Sequence, residues 1–244
     1  KQVRAKIGES LKNVQSAPPL ERVTTSSLEA LRLYVQGSRL ITENGDFARG
    51  SALLEEAVAL DTGFAMAYRK LGVEYGNRAL TEKSNAYFEK AFAHRDRLSD
   101  PERYLMLGTY YSHGPHSDLD KARAAYEQLL AEQPNNTAGL NNLSNQLYYM
   151  HEYERSEQLL TRAIRVGPPA SIHFRNLART LVALGKIDSA VARPDACARA
   201  LPSNNECANL RADLLWTRGR YDTLATYLDD IAPRFTSVQD LAGL

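Results

Sequence analysis

The feature of this sequence that most constrains its fold is a residue pattern that recurs about every 34 residues. The segment 153–168 shows the pattern clearly, with a small residue, a bulky apolar residue, an alanine and a closing proline at Ser156, Leu160, Ala163 and Pro168. The segment before it carries large, leucine, small and large positions at Leu140, Leu143, Ser144 and Leu147. Apolar residues three and four apart share one face of a helix. Each recurrence therefore predicts two consecutive amphipathic helices.

Further copies of the pattern keep the same phase along most of the chain. They occur at Gly50, Leu54 and Ala57; Tyr68, Leu71, Gly72 and Tyr75; Ser84, Phe88 and Ala91; Ala122, Tyr126, Leu129 and Pro134; Ala190, Pro194, Cys197 and Pro202; and Leu224, Leu228 and Ile231. The pattern resembles that of the tetratricopeptide repeat (TPR) family. That resemblance implies an all-α, right-handed superhelical solenoid of about six helix pairs, in which stacked neighbours build one continuous core.

The phase of the pattern divides the chain into predicted units. The repeats are expected at about 31–64, 65–100, 101–136, 137–170, 171–204 and 205–238, with a tail at 239–244. Residues 1–26 precede them as an amphipathic helix and a linker that contains Pro18 and Pro19. The apolar stripe of that helix consists of Val3, Ile7, Leu11 and Val14. We expect it to cap the first repeat, and the alternative is a basic helix on a membrane surface.

Two positions depart from the repeat pattern. Gly50 stands where the two helices of the first pair touch, in place of the usual alanine, and permits a close approach of the helices. Pro194 stands inside the second helix of repeat 5, where it removes a backbone donor. We expect the helix to kink or restart there, with Asp195 in the new first turn.

Composition and motifs argue against several functions. The 30 basic and 29 acidic residues give a net charge of +1, which does not suit a nucleic-acid binder that relies on overall charge. No apolar run is long enough to span a membrane. His113 and His116 are expected to be solvated loop residues rather than metal ligands, because no further ligand follows at a recognised spacing. We expect no catalytic residues, no cofactor and no metal, since no nucleophile motif or phosphate loop occurs.

The chain has two cysteines, Cys197 and Cys207. They fall late in the second helix of repeat 5 and early in the first helix of repeat 6. Our first expectation is two free, buried thiols, because cysteine is among the most buried residue types. The alternative is a disulfide, which would indicate an oxidising compartment.

A second resemblance concerns residues 8–37, GESLKNVQSAPPLERVTTSSLEALRLYVQG, and residues 45–72, GDFARGSALLEEAVALDTGFAMAYRKLG. These segments resemble the C-terminal TPR region of bacterial membrane-anchored serine/threonine protein kinases. The resemblance implies a sensor or interaction region that lies outside the cytoplasm. Without it, a cytoplasmic location is expected. The kinase motifs themselves do not occur in this chain.

The TPR resemblance also implies a ligand groove on the concave face, lined by the first helix of each pair. The positions that match it in repeats 4, 5 and 2 are Asn141, Asn145, Tyr148, Arg175, Asn176, Arg179, Arg69 and Lys70. Chaperone-binding members clamp a terminal carboxylate with Lys, Asn, Asn, Lys and Arg. Here Asn141 replaces the first Lys, whereas Glu206 and Leu210 replace the later Lys and Arg. We therefore do not expect a chaperone tail as the ligand.

Arg175 and Arg179 lie one helical turn apart and repel each other unless something neutralises them. Either an acidic protein segment binds there, or acids on a neighbouring helix neutralise the pair in a solvated face. The expected function is a non-catalytic module that binds a protein or peptide in the groove. The alternative is a structural scaffold that self-associates through its ends or its groove.

Overall fold

A computed structural model describes residues 24–202 and 204–231, and every regular element in these ranges is helical. The helices are α1 (Leu28–Asn44), α2 (Phe47–Leu60), α3 (Ala65–Gly76), α4 (Thr81–Ala93), α5 (Asp100–His113), α6 (Leu119–Glu132), α7 (Thr137–Tyr149), α8 (Tyr153–Val166), α9 (Ser171–Ala183), α10 (Ile187–Val191), α11 (Arg193–Ala200), α12 (Glu206–Thr217) and α13 (Tyr221–Ile231). The capping helix expected in residues 1–15, most of the linker and the 239–244 tail lie outside the described residues.

Consecutive helices pack in pairs, and from α3 onward the first helix of each pair also contacts the first helix of the next. The pairs are α1 with α2, α3 with α4, α5 with α6, α7 with α8, α9 with α10 and α11, and α12 with α13. The first helices α3, α5, α7, α9 and α12 thus form one continuous layer, which the resemblance to the TPR family places on the concave face of the solenoid. The predicted fold class, an all-α helical-repeat solenoid, is confirmed.

The helices begin and end where side chains or glycine satisfy the free backbone groups. Ser27 accepts a hydrogen bond from the amide of Ala30 at 3.1 Å, and so caps the start of α1. Gly45 ends the same helix in the left-handed region, with φ of 71°. Its own amide donates to Ile41, and the next amide donates to Leu40. This arrangement is the Schellman cap that glycine favours.

Close contacts between paired helices depend on small residues. A Cβ added at Gly50 would lie 2.4 Å from the side chain of Ile41 and 2.7 Å from the carbonyl oxygen of Gly37. A Cβ added at Gly108 in α5 would lie 2.4 Å from the ring of Tyr126 in α6, which is fully buried. These distances are shorter than van der Waals contact. The close approach predicted at Gly50 is therefore confirmed, and Gly108 makes room for an aromatic ring in the same way.

The second helix of repeat 5 is divided, as the sequence predicted. It consists of α10 and α11, and Pro194 lies in the first turn of α11 together with Asp195. The first amides of a helix have no partner within the helix, so proline removes no hydrogen bond there. The buried core is also divided. One cluster of buried apolar residues extends from Ala30 to Leu147, and a second extends from Leu160 to Leu214.

Cys197 in α11 and Cys207 in α12 form a disulfide, with their Cα atoms 5.5 Å apart. The expectation of two free thiols was therefore wrong. Both residues are buried, as expected. The reason for the error is geometric, because the turn between α11 and α12 brings the two residues within the Cα distance that a disulfide requires. Spacing along the chain alone does not reveal that distance.

Candidate ligand groove

The predicted groove residues of repeats 4 and 5 face each other across α7 and α9. The side-chain amide of Asn176 donates to the side-chain oxygen of Asn141 at 2.9 Å. Asn141 also donates to the side chain of Asn142 at 3.2 Å. The two helices occupy equivalent places in consecutive repeats, so residues about one repeat apart meet side by side. The structure thus brings these two asparagines together on the concave layer.

Arg179 is the centre of the next group along the same two helices. Its guanidinium donates to the side-chain oxygen of Asn145. It also lies over the ring of Tyr148, with 4.1 Å between its Cζ atom and the ring centroid, and 5.4 Å from the centroid of Tyr149. Stacking on aromatic rings orients an arginine while leaving the edge of its planar fork for an acceptor.

Acids from repeat 6 neutralise Arg175. Its guanidinium contacts the carboxylate of Glu206 at the start of α12. Burial lowers the pKa of Arg175, and the charge of Asp213 in α12 opposes that shift. Burial raises the pKa of Asp213, and the charge of Arg175 opposes it in turn. Of the two readings of the arginine pair, neutralisation by a neighbouring helix therefore applies to Arg175, whereas Arg179 is held by uncharged partners.

The predicted cations of repeat 2 are less available. Lys70 forms an ion pair with Glu74 at 2.8 Å, and Arg78 approaches the same carboxylate at 3.6 Å. Arg69 is only 9% exposed, and its guanidinium donates to Thr109 at 3.4 Å. These two residues lie apart from the group on α7 and α9.

Two polar side-chain contacts connect repeats 3 and 4. The sequence did not predict them. Gln146 donates to Ser112 at 2.9 Å, and Asn142 donates to the phenol oxygen of Tyr126 at 3.3 Å. Burial raises the pKa of Tyr126. Ser112 and Gln146 are 34 residues apart, but repeat 3 is 36 residues long, so the two do not occupy equivalent positions and the spacing gave no signal for this contact.

Several donors of the groove remain unpaired. The Nε atoms of Arg69, Arg175 and Arg179 are buried and have no hydrogen-bond partner among residues 24–202 and 204–231. A buried donor without a partner costs about 1–3 kcal/mol.

Two other kinds of feature, a metal site and a membrane-spanning helix, are absent from the described residues. Among them, no group of three or more His, Cys, Asp and Glu side chains is placed to hold a metal ion. His116 lies 3.5 Å from Glu89, and both side chains are largely exposed. Within the same part of the chain, none of the helices has the length and apolar character needed to cross a membrane.

Comparisons with known proteins agree with the architecture. A family model described as "Tetratricopeptide repeat" matches residues 175–235. Among curated protein sequences, none is similar enough to count as a match. The type IV pilus biogenesis factor PilW is a structure of similar fold, with a TM-score of 0.53 and 15% identity, over 89% of this chain and 98% of that chain.

Two other solved structures extend the comparison. A thermophilic TPR protein of Thermus thermophilus has a TM-score of 0.52 and 17% identity, over 77% of this chain and 99% of its own. Yeast Tom70 has a TM-score of 0.54 and 13% identity, over 88% of this chain and 45% of its own. At these identities the likeness concerns the fold, which is that of a TPR solenoid.

Proposed function

We propose that this chain is a non-catalytic protein-binding module, and that the concave face of repeats 4 and 5 binds an extended, acidic or carboxylate-bearing protein segment. The observation that carries the proposal is the contact of Arg175 with Glu206 beside the stacked guanidinium of Arg179. Arg175 already holds a carboxylate, so the site has the geometry for one. A carboxylate of the ligand replaces that of Glu206.

The uncharged residues supply the remaining recognition. Asn141, Asn145 and Asn176 each carry donors and acceptors that suit a peptide backbone. Tyr148 supplies a rigid apolar surface at low cost in side-chain entropy. A charge-assisted bond to a desolvated arginine contributes about 1.5–3 kcal/mol, and much less where the arginine is exposed.

Charge reversal of the two arginines tests this site. Arg175→Glu with Arg179→Glu should weaken binding of an acidic peptide, selected from a peptide array, by about tenfold or more, or about 1.4 kcal/mol. The matched control is Arg165→Glu with Arg199→Glu, which makes the same change of charge at two exposed positions on second helices. Unchanged affinity in the first pair, at preserved helicity, would move the search to Arg69 and Lys70.

The finer part of the proposal concerns the parent protein. On the resemblance of residues 8–37 and 45–72, we propose that the module is the sensor or interaction region of a bacterial signalling serine/threonine kinase. The gene's full-length sequence tests this. An upstream kinase domain followed by a membrane helix supports the proposal, and a gene without them overturns it while leaving the groove proposal in place.

A second candidate is a scaffold that self-associates through the first repeat. Leu28 is 81% exposed and Val35 is 48% exposed, and both line an open cavity of about 660 Å³ along α1. Exposed apolar side chains at the end of a solenoid suit a contact with another surface. Leu28→Lys with Val35→Lys should abolish self-association in sedimentation analysis. A chain that is monomeric at all concentrations excludes the scaffold.

A further inference from the structure

The junction between repeats 5 and 6 contacts the first repeat. The side-chain amide of Asn204 donates to the backbone carbonyl of Glu43 at 2.9 Å and to that of Thr42 at 3.3 Å, although Glu43 precedes it by 161 residues. Only 5% of the surface of Asn204 is exposed. In a solenoid each repeat normally contacts only its neighbours. This contact therefore joins two repeats that are not neighbours in the chain.

The end of α1 offers acceptors that its own cap leaves free. The last four carbonyls of a helix have no partner within the helix. The Schellman cap at Gly45 satisfies Leu40 and Ile41. The carbonyls of Thr42 and Glu43 come next, and these are the two that Asn204 binds. Asn204 thus completes the cap of a helix that belongs to another repeat.

Asn204 is held in position from its own side as well. Its side-chain oxygen accepts a hydrogen bond from the amide of Glu206 at 2.9 Å, at the start of α12. The disulfide between Cys197 and Cys207 encloses it in a covalent loop with a sequence separation of 10. A short closed loop samples few conformations, so its amide is presented to α1 with little loss of entropy.

We propose that Asn204 is an intramolecular clasp that joins repeat 1 to the junction of repeats 5 and 6, and that the disulfide loop holds this clasp in place. The clasp fixes the curvature of the solenoid and therefore the width of the concave face. Without it, the described residues of the two ends are joined through the stacked repeats between them, and the ends move apart.

Two substitutions of Asn204 remove its hydrogen bonds to α1 but keep the bond that it accepts from the amide of Glu206. In Asn204→Asp the carboxylate still accepts from the amide of Glu206 but cannot donate, and its charge is unfavourable at the C-terminal end of α1. In Asn204→Ser the hydroxyl retains the capping role but is too short to reach α1, and no charge is added. Asn135→Asp is the matched control, because the side-chain oxygen of exposed Asn135 accepts hydrogen bonds from Arg162, and a carboxylate accepts them equally well.

The distance between the ends is measured by pulsed electron paramagnetic resonance. Spin labels are attached through a ketone-bearing amino acid at the exposed positions Glu56 and Arg218, which leaves the disulfide intact. The clasp predicts a narrow distance distribution in the unsubstituted chain and in Asn135→Asp. It predicts a longer and broader distribution in both Asn204 variants. The same narrow distribution in folded Asn204→Asp and Asn204→Ser would overturn the proposal, as would a broad distribution in the unsubstituted chain.

Discussion

Repeats 3 and 5 hold their second helices in different ways. In repeat 3, α6 is unbroken, and its buried Tyr126 packs against Gly108 of α5. In repeat 5, the second helix is divided at Pro194, and a disulfide links its second half to the next repeat. Repeat 3 depends on the fit of one large side chain, whereas repeat 5 depends on a covalent link.

The two clusters of buried apolar residues also differ in the side chains that surround them. The first core ends at Leu147, and the polar contacts between repeats 3 and 4 lie beside its last part. The second core contains the two cysteines and borders the groove at Arg175. The proposed ligand site therefore spans the regular repeat 4 and the divided repeat 5.

The largest expected effect is at Tyr126. Tyr126→Ala should lower the free energy of unfolding by about 3–5 kcal/mol, because a large buried ring is lost and leaves a cavity. Tyr126→Phe removes only the hydroxyl and should cost about 0.5–1.5 kcal/mol. Urea unfolding measures both changes. Equal losses in the two variants would show that repeat 3 does not depend on the ring.

The next largest effect is the pH dependence of stability that arises from His173, beside the second core. His173 in α9 is 5% exposed, and burial lowers its pKa from 6.5 to about 4. Between these values the unfolded chain binds a proton that the folded chain does not, so stability falls as the pH falls from 6.5 to about 4. Each unit of pKa shift corresponds to about 1.36 kcal/mol, so the free energy of unfolding should fall by up to roughly 3 kcal/mol.

His173→Leu should flatten this dependence, because the substituted side chain does not titrate. Urea unfolding at pH 7, 6 and 5 measures the slope in both proteins. An unchanged slope in His173→Leu would mean that folding does not lower the pKa of His173.

The recurring spacing predicted the helix pairs, and the proline predicted the break in repeat 5. Both succeed because helix periodicity and the missing donor of proline act over a few residues. The cap at Gly45 and the break at Pro194 are local in this sense. Such local features can be read from a single sequence.

Contacts between repeats could not be predicted in the same way. The disulfide, the acids that face Arg175 and the clasp of Asn204 all depend on how each repeat is rotated against the others. A nearest-neighbour pattern contains no information on which distant repeats the superhelix brings together. The opposite charges at Arg175 and Glu206, on equivalent faces of neighbouring repeats, were the one available signal.

The most direct test of the proposed groove removes the internal competitor. Glu206→Gln keeps the size of the side chain and the backbone amide that Asn204 caps, but releases Arg175 from its carboxylate. Isothermal titration of the acidic peptide should show an affinity about two- to fivefold higher than that of the unsubstituted chain, because a partly exposed ion pair contributes up to about 1 kcal/mol. An affinity that stays the same or falls would contradict the claim that a ligand carboxylate replaces Glu206 at Arg175.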